Sequence, residues 1–219
     1  MKFLVVMTIL LATVAFADWT ENFDSYAAGS GLAGQGGWFP WDNNLAYDAY
    51  VSTVQARSGA NSVDITPTSD MVQEFNIMSG TPTITAWNYI PTGSTGDQFF
   101  ILLTVYMGSD SDWALQLKFA CDDSQLVVTE GSAIVPIVYD QWVEVKVEID
   151  LGADTQTISY NGAVIETIPW SPTSMIYQFD ALDVFSDGGS SIYWDDISVI
   201  GDTQQSLTPS TWATIKATF

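Results

Sequence analysis

Histidine is absent from this chain of 219 residues, and cysteine occurs once, as Cys121. Without imidazole, the chain cannot supply a Ser-His-Asp or Cys-His nucleophile, a histidine-ligated zinc or iron site, or a histidine proton relay. A single cysteine cannot close an internal disulfide or form a thiolate cluster. These absences exclude several large classes of enzyme and redox protein. Cys121 follows an apolar run and is predicted to be a buried strand residue.

Basic residues are also scarce, because 5 Lys and Arg face 26 Asp and Glu, which gives a formal net charge of −21. A field of this sign repels phosphate backbones and anionic lipid headgroups. Nucleic acid and the membrane surface are therefore excluded as partners, whereas neutral molecules, cations and basic partners remain.

Apolar runs that could cross a bilayer are missing as well. The run from Phe3 to Val14 is shorter than the ~20 residues of a membrane span, so no membrane insertion is expected. It follows Lys2 and precedes Ala15-Phe16-Ala17, a pattern typical of a signal peptide over residues 1–17. We therefore expect a secreted product, extracellular or periplasmic, that begins at Asp18.

The hydrophobic pattern has a period of two almost everywhere, which predicts antiparallel strands. In residues 141–150, valines and isoleucine alternate with charged residues without a break. Similar runs occupy residues 49–53, 62–66, 71–77, 83–90, 98–107, 113–120, 125–129, 155–160, 163–168, 175–185 and 191–200. Asn161-Gly162 predicts a hairpin turn. The pattern predicts an all-β domain of two packed sheets over residues 18–201.

Three segments stand out from this pattern. The apolar run Phe99 to Val105 predicts a central strand that is covered on both faces. The glycine-rich residues 27–37 end in the aromatic loop Trp38 to Trp41, which we expect to cover another surface. Residues 202–219 predict a polar linker and a short amphipathic C-terminal helix, since Thr208-Pro209 is typical of a helix start.

Several short motifs carry a resemblance to a known family. They are residues 141–151, 155–162 and 192–199, together with Glu21-Asn22-Phe23-Asp24 and Gly36-Gly37-Trp38. They resemble the laminin G-like, concanavalin A-like jelly-roll modules of exported bacterial proteins. The resemblance implies an antiparallel jelly-roll sandwich whose first and last strands lie side by side and often share a structural calcium ion. It also implies that sugars bind on one sheet or at its rim loops, without fixing one function.

A calcium site also has a physical basis, because Ca²⁺ needs about 6 to 8 oxygen ligands, including several carboxylates. The candidate ligands are acids of the first and last strands: Glu21, Asp24, Asp195 and Asp196. If Ile197 and Val199 point inward, strand alternation places Asp195 on the inner side, where an unpaired carboxylate is costly. The alternative is that Asp195 caps backbone amides and the other acids are solvated.

A catalytic site has weaker support. The segment Glu148-Ile149-Asp150-Leu151 resembles the acidic strand of laminarinase-type glycoside hydrolases, in which two glutamates act as nucleophile and acid. Here Gly152 and Ala153 stand where the third acid belongs, and Asp154 falls in a predicted turn. Glu148 and Asp150 also continue a polar stripe typical of a solvated face. No catalytic residue is assigned, and the few basic residues favour no lyase site.

Sugar binding is favoured by the aromatic content, with 9 Trp, 9 Tyr and 11 Phe. If Ile84 and Ala86 face the core, Trp87 and Tyr89 lie on the opposite surface. The candidate ligand-binding residues are Trp41, Trp87, Tyr89 and Trp142. Aromatic faces flanked by carboxylates and amides suit sugar rings, although a covering loop would make the same residues part of the core.

The sequence thus predicts a secreted, noncatalytic β-sandwich that binds carbohydrate or another surface component, with a structural calcium ion. Its expected partner is a polysaccharide or a cell-surface glycan. The alternatives are an exported glycan-active enzyme of laminarinase-like fold and a structural or adhesive envelope protein.

Overall fold

The computed structural model describes residues 18–201. The predicted signal peptide and the predicted C-terminal helix lie outside these residues.

The described strands form an eight-stranded sheet A and a seven-stranded sheet B. Sheet A contains β1 (Trp19–Glu21), β3 (Tyr50–Ser52), β4 (Ser62–Ile65), β6 (Thr83–Tyr89), β11 (Trp142–Asp150), β12 (Thr155–Tyr160), β13 (Ala163–Ile168) and β15 (Ile192–Ile200). Sheet B contains β2 (Phe39–Pro40), β5 (Asp70–Ile77), β7 (Asp97–Val105), β8 (Asp112–Ala120), β9 (Gln125–Val128), β10 (Ile134–Pro136) and β14 (Phe179–Asp187).

The strand pairings are antiparallel, with the order β13-β12-β11-β6-β15-β4-β3 in sheet A and β10-β9-β8-β7-β14-β5-β2 in sheet B. Strand β1 pairs with β15, so the first and last strands are neighbours. Three short 3₁₀ turns cover Trp41–Asn43, Leu45–Tyr47 and Cys121–Asp123. The two sheets pack as a jelly-roll sandwich, which confirms the predicted fold class.

Alternating burial explains why the strands form where the sequence predicts them. In β11, Val143, Val145, Val147 and Ile149 are buried, while the residues between them reach solvent. The hairpin after β12 turns at Asn161 and Gly162, with φ values of 52° and 76°. Both values lie in the left-handed region that a type I′ turn requires, so the predicted hairpin is confirmed.

Large aromatic side chains fill the space between the sheets. Trp194 of β15 lies 5.1 Å from Phe100 and 5.9 Å from Phe119, measured between ring centroids. Trp38 and Trp170 are also fully buried. Trp38 is therefore part of the core. Cys121 is 4% exposed, as predicted for a buried residue.

A second apolar cluster lies on the outer face of sheet B. It contains Val72, Ile101, Leu103 and Ala181, with the half-buried Phe39, Trp41, Phe99, Tyr106, Trp113 and Phe185 packed around them. Residues on both faces of β7 are therefore covered, which confirms the expectation from its continuous apolar run. Within residues 18–201, no helix has the length and hydropathy needed to cross a membrane.

Candidate functional site

The outer face of sheet B carries an open groove at the middle of the sheet. Asp183 of β14 lies opposite Ile101 of β7 and Val72 of β5. Phe185, two residues further along β14, lies opposite Phe99 and Asp70. Directly opposed residues in antiparallel strands share a face, so this register brings both carboxyl groups and several aromatic rings to one surface.

The groove has a volume of about 210 Å³. We call it the acid-pair groove and define it by its lining residues: Trp41, Asp70, Phe99, Ile101, Trp113, Gln116, Asp183 and Phe185. Its aromatic side chains are half-buried, so part of each ring is accessible from the groove.

Trp41 reaches this groove from the turn that follows β2. The ring of Trp41 lies edge-on to Tyr106, with centroids 4.9 Å apart. The next backbone amide, that of Asp42, donates a hydrogen bond to the Tyr106 hydroxyl at 3.1 Å. Tyr106 therefore fixes both the ring and the backbone of the turn, and Trp41 forms one wall of the groove.

Asp70 and Asp183 form a hydrogen-bonded carboxyl pair on the groove floor. Asp183 is only 2% exposed. Burial, followed by the neighbouring Asp70, raises the pKa of Asp183 well above its usual value. Burial likewise raises the pKa of Asp70 to about 6, with a smaller contribution from Asp42. A carboxyl pair in such contact holds a shared proton at pH values at which isolated carboxyl groups are ionised.

The pair receives little support from the rest of the protein. The Oδ1 atoms of Asp70 and Asp183 are both buried, and no described N–H or O–H group outside the pair donates a hydrogen bond to them. A buried acceptor without a donor costs about 1–3 kcal/mol, so each carboxyl group depends on the other.

Sequence reasoning identified Trp41 but missed Asp70, Asp183, Phe99, Trp113 and Phe185 as site residues. The pairing of β5 with β14 creates the carboxyl pair from residues that are distant in the chain. One local signal existed, because Asp183 interrupts the apolar run from Ala181 to Phe185.

The other predicted aromatic residues lie on the outer face of sheet A. Trp142 lies opposite Tyr89, with ring centroids 5.6 Å apart. Trp87 lies on the same face of β6. The structure thus brings Trp87, Tyr89 and Trp142 to one surface, whereas Trp41 lies on the other sheet.

Glu21 and Asp24, two of the predicted calcium ligands, bind protein donors. Glu21 accepts a hydrogen bond from the Phe23 amide at 2.8 Å and another from the Tyr26 hydroxyl. Asp24 accepts hydrogen bonds from the amides of Ala60 and Asn61 at 2.7 and 3.0 Å. Gly59, with φ of 56°, lies so close to the Asp24 carboxylate that a Cβ atom would overlap it.

Asp195 shows a different orientation from the one predicted. In the pairing of β15 with β6, Asp195 lies opposite Trp87. The register then shifts, so that the next paired residue, Ser198, lies opposite Thr85. Because of this β-bulge, Ile197 and Val199 face the core while Asp195 shares the outer face with Trp87. The expected inner position of Asp195 was therefore wrong.

Three backbone amides donate hydrogen bonds to the Asp195 carboxylate. Asp195 is completely buried and accepts hydrogen bonds from the amides of Arg57, Ser58 and Asp196 at 2.7, 3.1 and 2.7 Å. Burial raises its pKa to about 6, although these three hydrogen bonds act in the opposite direction. This geometry matches the alternative in which Asp195 caps amides.

A cleft of about 430 Å³ on sheet A brings Glu21, Asp196 and Trp87 together. Asp196 accepts a hydrogen bond from the Ser58 hydroxyl at 2.7 Å and forms an ion pair with Arg57. Among the residues that the structure describes, no three Asp, Glu or Cys side chains form a group that could hold a metal ion. The four acids therefore do not fit a shared calcium site as arranged here, and calcium binding stays a prediction.

Glu148 and Asp150 lie together at a shallow depression on sheet A. Glu148 pairs with Lys146 at 3.0 Å, and Asp150 accepts a hydrogen bond from the Ala153 amide at 2.8 Å. Asp150 thus caps the turn after β11, and Glu148 belongs to a partly solvated polar stripe.

The chain is similar in fold to several solved structures of low sequence identity. The T. cruzi calreticulin globular domain is 9% identical with a TM-score of 0.56, and the match covers 91% of this chain and 94% of that one. The Crh5 transglycosylase is 15% identical with a TM-score of 0.55, covering 86% of each chain. An endo-beta-1,4-glucuronan lyase from the fungus Trichoderma reesei is 9% identical with a TM-score of 0.52, covering 84% and 95%. No protein-family model and no curated protein sequence matches the chain. The similarity supports the jelly-roll fold.

Proposed function

We propose that this protein is an exported, noncatalytic carbohydrate-binding β-sandwich that holds a polysaccharide or a cell-surface glycan in the acid-pair groove. The observation that carries the proposal is the convergence of half-buried aromatic side chains and a buried carboxyl pair on one open groove. The apolar face of a sugar ring stacks on aromatic rings, and its hydroxyl groups donate to carboxylate oxygens.

The carboxyl pair is not arranged as in a glycoside hydrolase. Retaining enzymes separate their two carboxyl groups by about 5 to 5.5 Å, and inverting enzymes by about 6.5 to 9.5 Å, so that the scissile bond lies between them. Asp70 and Asp183 instead hydrogen-bond to each other. This contact supports binding in preference to glycoside hydrolysis.

The basic residues within 18–201 offer no support for a lyase that would act on an acidic glycan. Arg57, Lys118 and Lys146 each form an ion pair with Asp196, Asp97 and Glu148, respectively. The names of two structural neighbours mention a transglycosylase and a glucuronan lyase, so glycan chemistry does occur on this fold. Glycan binding in this groove requires no calcium ion, and Glu21, Asp24, Asp195 and Asp196 accept hydrogen bonds from protein donors.

The binding test uses a glycan array and insoluble polysaccharides with the chain from Asp18 onward. Trp113→Ala is expected to weaken binding by about 1 to 3 kcal/mol, by analogy with aromatic stacking on nucleobases. Trp87→Ala is the matched control, since Trp87 lies on the other sheet, and it should leave the affinity unchanged. Melting curves check that both variants fold.

Two results would overturn this proposal. One is loss of glycan binding in Trp87→Ala but not in Trp113→Ala, which would move the site to sheet A. The other is release of reducing ends from a glycan that disappears in Asp183→Asn, which would favour the glycan-active enzyme.

A further inference from the structure

The floor of the acid-pair groove has few hydrogen-bond donors. The Asp183 side chain is nine-tenths buried or more and lines the groove, and no described N–H or O–H group other than the paired Asp70 carboxyl donates to its Oδ1 atom. Oδ1 of Asp70 likewise receives no donor from outside the pair. The one shared proton serves the contact between the two carboxyl groups, so a ligand that binds their other lone pairs must carry N–H or O–H bonds.

The floor also carries uncompensated negative charge. Two carboxyl groups that share one proton retain one negative charge between them. Asp42, on the turn beside the groove, adds to the negative field at Asp70 and at Tyr106. In the strand register, the basic residue nearest to the groove is Lys118, which lies opposite Phe99. Its ammonium group forms an ion pair with Asp97 at 2.5 Å. The described part of the chain therefore provides no free cation for this floor.

The groove walls favour the same kind of ligand. Trp41, Trp113, Phe99 and Phe185 surround the carboxyl pair. Aromatic rings attract cations through the negative potential of their faces, and this attraction increases when the cation leaves water. Aromatic walls above a carboxylate floor are thus suited to a positively charged nitrogen.

We propose that the acid-pair groove selects glycans with free amino groups, such as β-linked glucosamine, over neutral or N-acetylated sugars. The ammonium group donates to the Asp183–Asp70 carboxyl pair that lines the groove, while the sugar ring packs against the tryptophan walls. This inference rests on the proposed function and specifies its ligand class.

The test compares three β-1,4-linked oligosaccharides of equal length that differ at carbon 2. They are oligomers of glucosamine, of N-acetylglucosamine and of glucose, which carry an ammonium, an acetamide and a hydroxyl group. All three affinities are measured by calorimetry at the same pH and at moderate salt. The glucosamine oligomer should bind at least about tenfold more tightly than the other two, because one charge-assisted contact contributes about that much to the affinity.

The protein's net charge attracts any polycation, so a matched control is needed. Asp70→Asn/Asp183→Asn removes the groove acids and keeps their shape, and it should abolish the preference for glucosamine. Glu144→Gln/Glu148→Gln removes two acids from the outer face of sheet A and should preserve the preference. Asp183→Asn alone is the second variant if the double variant does not fold, as judged from its melting curve.

The possible outcomes separate the two proposals. If the two double variants lose the preference for glucosamine equally, the preference comes from nonspecific charge attraction, and the inference is overturned. Equal binding of all three oligosaccharides that Trp113→Ala weakens would overturn the amine preference and leave glycan binding intact. Absence of binding by every glycan, on the array and in calorimetry, would overturn both proposals.

Discussion

The guanidinium carbon of Arg57 lies 3.6 Å from the centroid of the Trp87 ring. The same guanidinium forms an ion pair with Asp196, and the Arg57 amide donates to Asp195. The loop between β3 and β4 is therefore fastened to the bulge of β15 by its backbone and by its side chain. One face of Trp87 is covered, which makes this residue a poor platform for a sugar.

Removal of the Arg57 side chain tests this arrangement. Arg57→Ala is expected to lower the free energy of unfolding by about 1 to 2 kcal/mol, because it removes a cation–π contact and a partly exposed ion pair. The control is Lys146→Ala, which removes only a surface ion pair and should cost less than about 1 kcal/mol. Thermal or urea unfolding gives both values. Equal losses would mean that the contact with Trp87 contributes nothing.

Calcium binding at Glu21, Asp24, Asp195 and Asp196 can be measured directly. The melting temperature of the protein in Ca²⁺ is compared with its melting temperature in chelator. An ion that binds only the folded protein adds RT ln(1 + [L]/Kd) to the free energy of unfolding. The sequence predicts a higher melting temperature with Ca²⁺, whereas the protein donors on all four carboxylates predict equal melting temperatures. A rise with Ca²⁺ that Asp195→Ala abolishes would establish the site predicted from the sequence.

Cys121 should be inert in the folded protein. Burial, and then the charges of Asp122 and Asp97, raise the pKa of its thiol to about 11. The thiolate is the reactive form, so its population near pH 8 is far below that of a free cysteine. Thiol reagents should modify Cys121 only after denaturant is added. Rapid modification of native protein, followed by mass spectrometry, would contradict this expectation.

The fold could be predicted because one face of most strands is buried. In β11 the alternation of valines with charged residues fixes which side faces the core. The Asn161-Gly162 turn places Tyr160 of β12 opposite Ala163 of β13, which sets where those two strands begin to pair. The short strands β2 and β10 escaped prediction, because two or three residues carry too little alternation. Strand β14 begins at Phe179 and not near Met175, since residues 175–178 form no regular secondary structure and Met175 has a φ of 55°.

The candidate site was less predictable for two physical reasons. The contact between Asp70 and Asp183 depends on strand pairing across the sheet, which no local pattern specifies. The orientation of Asp195 depends on a bulge that breaks the period of two on which the prediction relied. Trp41 was identified from its aromatic loop, but only the structure places that loop over sheet B.

The buried carboxyl groups should make stability depend on pH. The pKa values of Asp70 and Asp195 are raised to about 6, and that of Asp183 is raised well above its usual value, in each case mainly by burial. Between about pH 4 and 6 the folded protein therefore binds more protons than the unfolded chain, and the free energy of unfolding decreases as the pH rises. Each extra bound proton contributes a slope of about 1.4 kcal/mol per pH unit.

Melting curves across this pH range measure the effect and its source. Asp70→Asn/Asp183→Asn should flatten the decrease, because it removes the carboxyl pair that titrates in the groove. Glu144→Gln/Glu148→Gln removes the same number of acids from the outer face of sheet A and should retain most of the slope. This comparison separates the groove from the general repulsion among 26 acidic residues, which also weakens as the pH falls. Equal slopes in the two double variants would show that the general repulsion, and not the Asp70–Asp183 pair, sets the pH dependence.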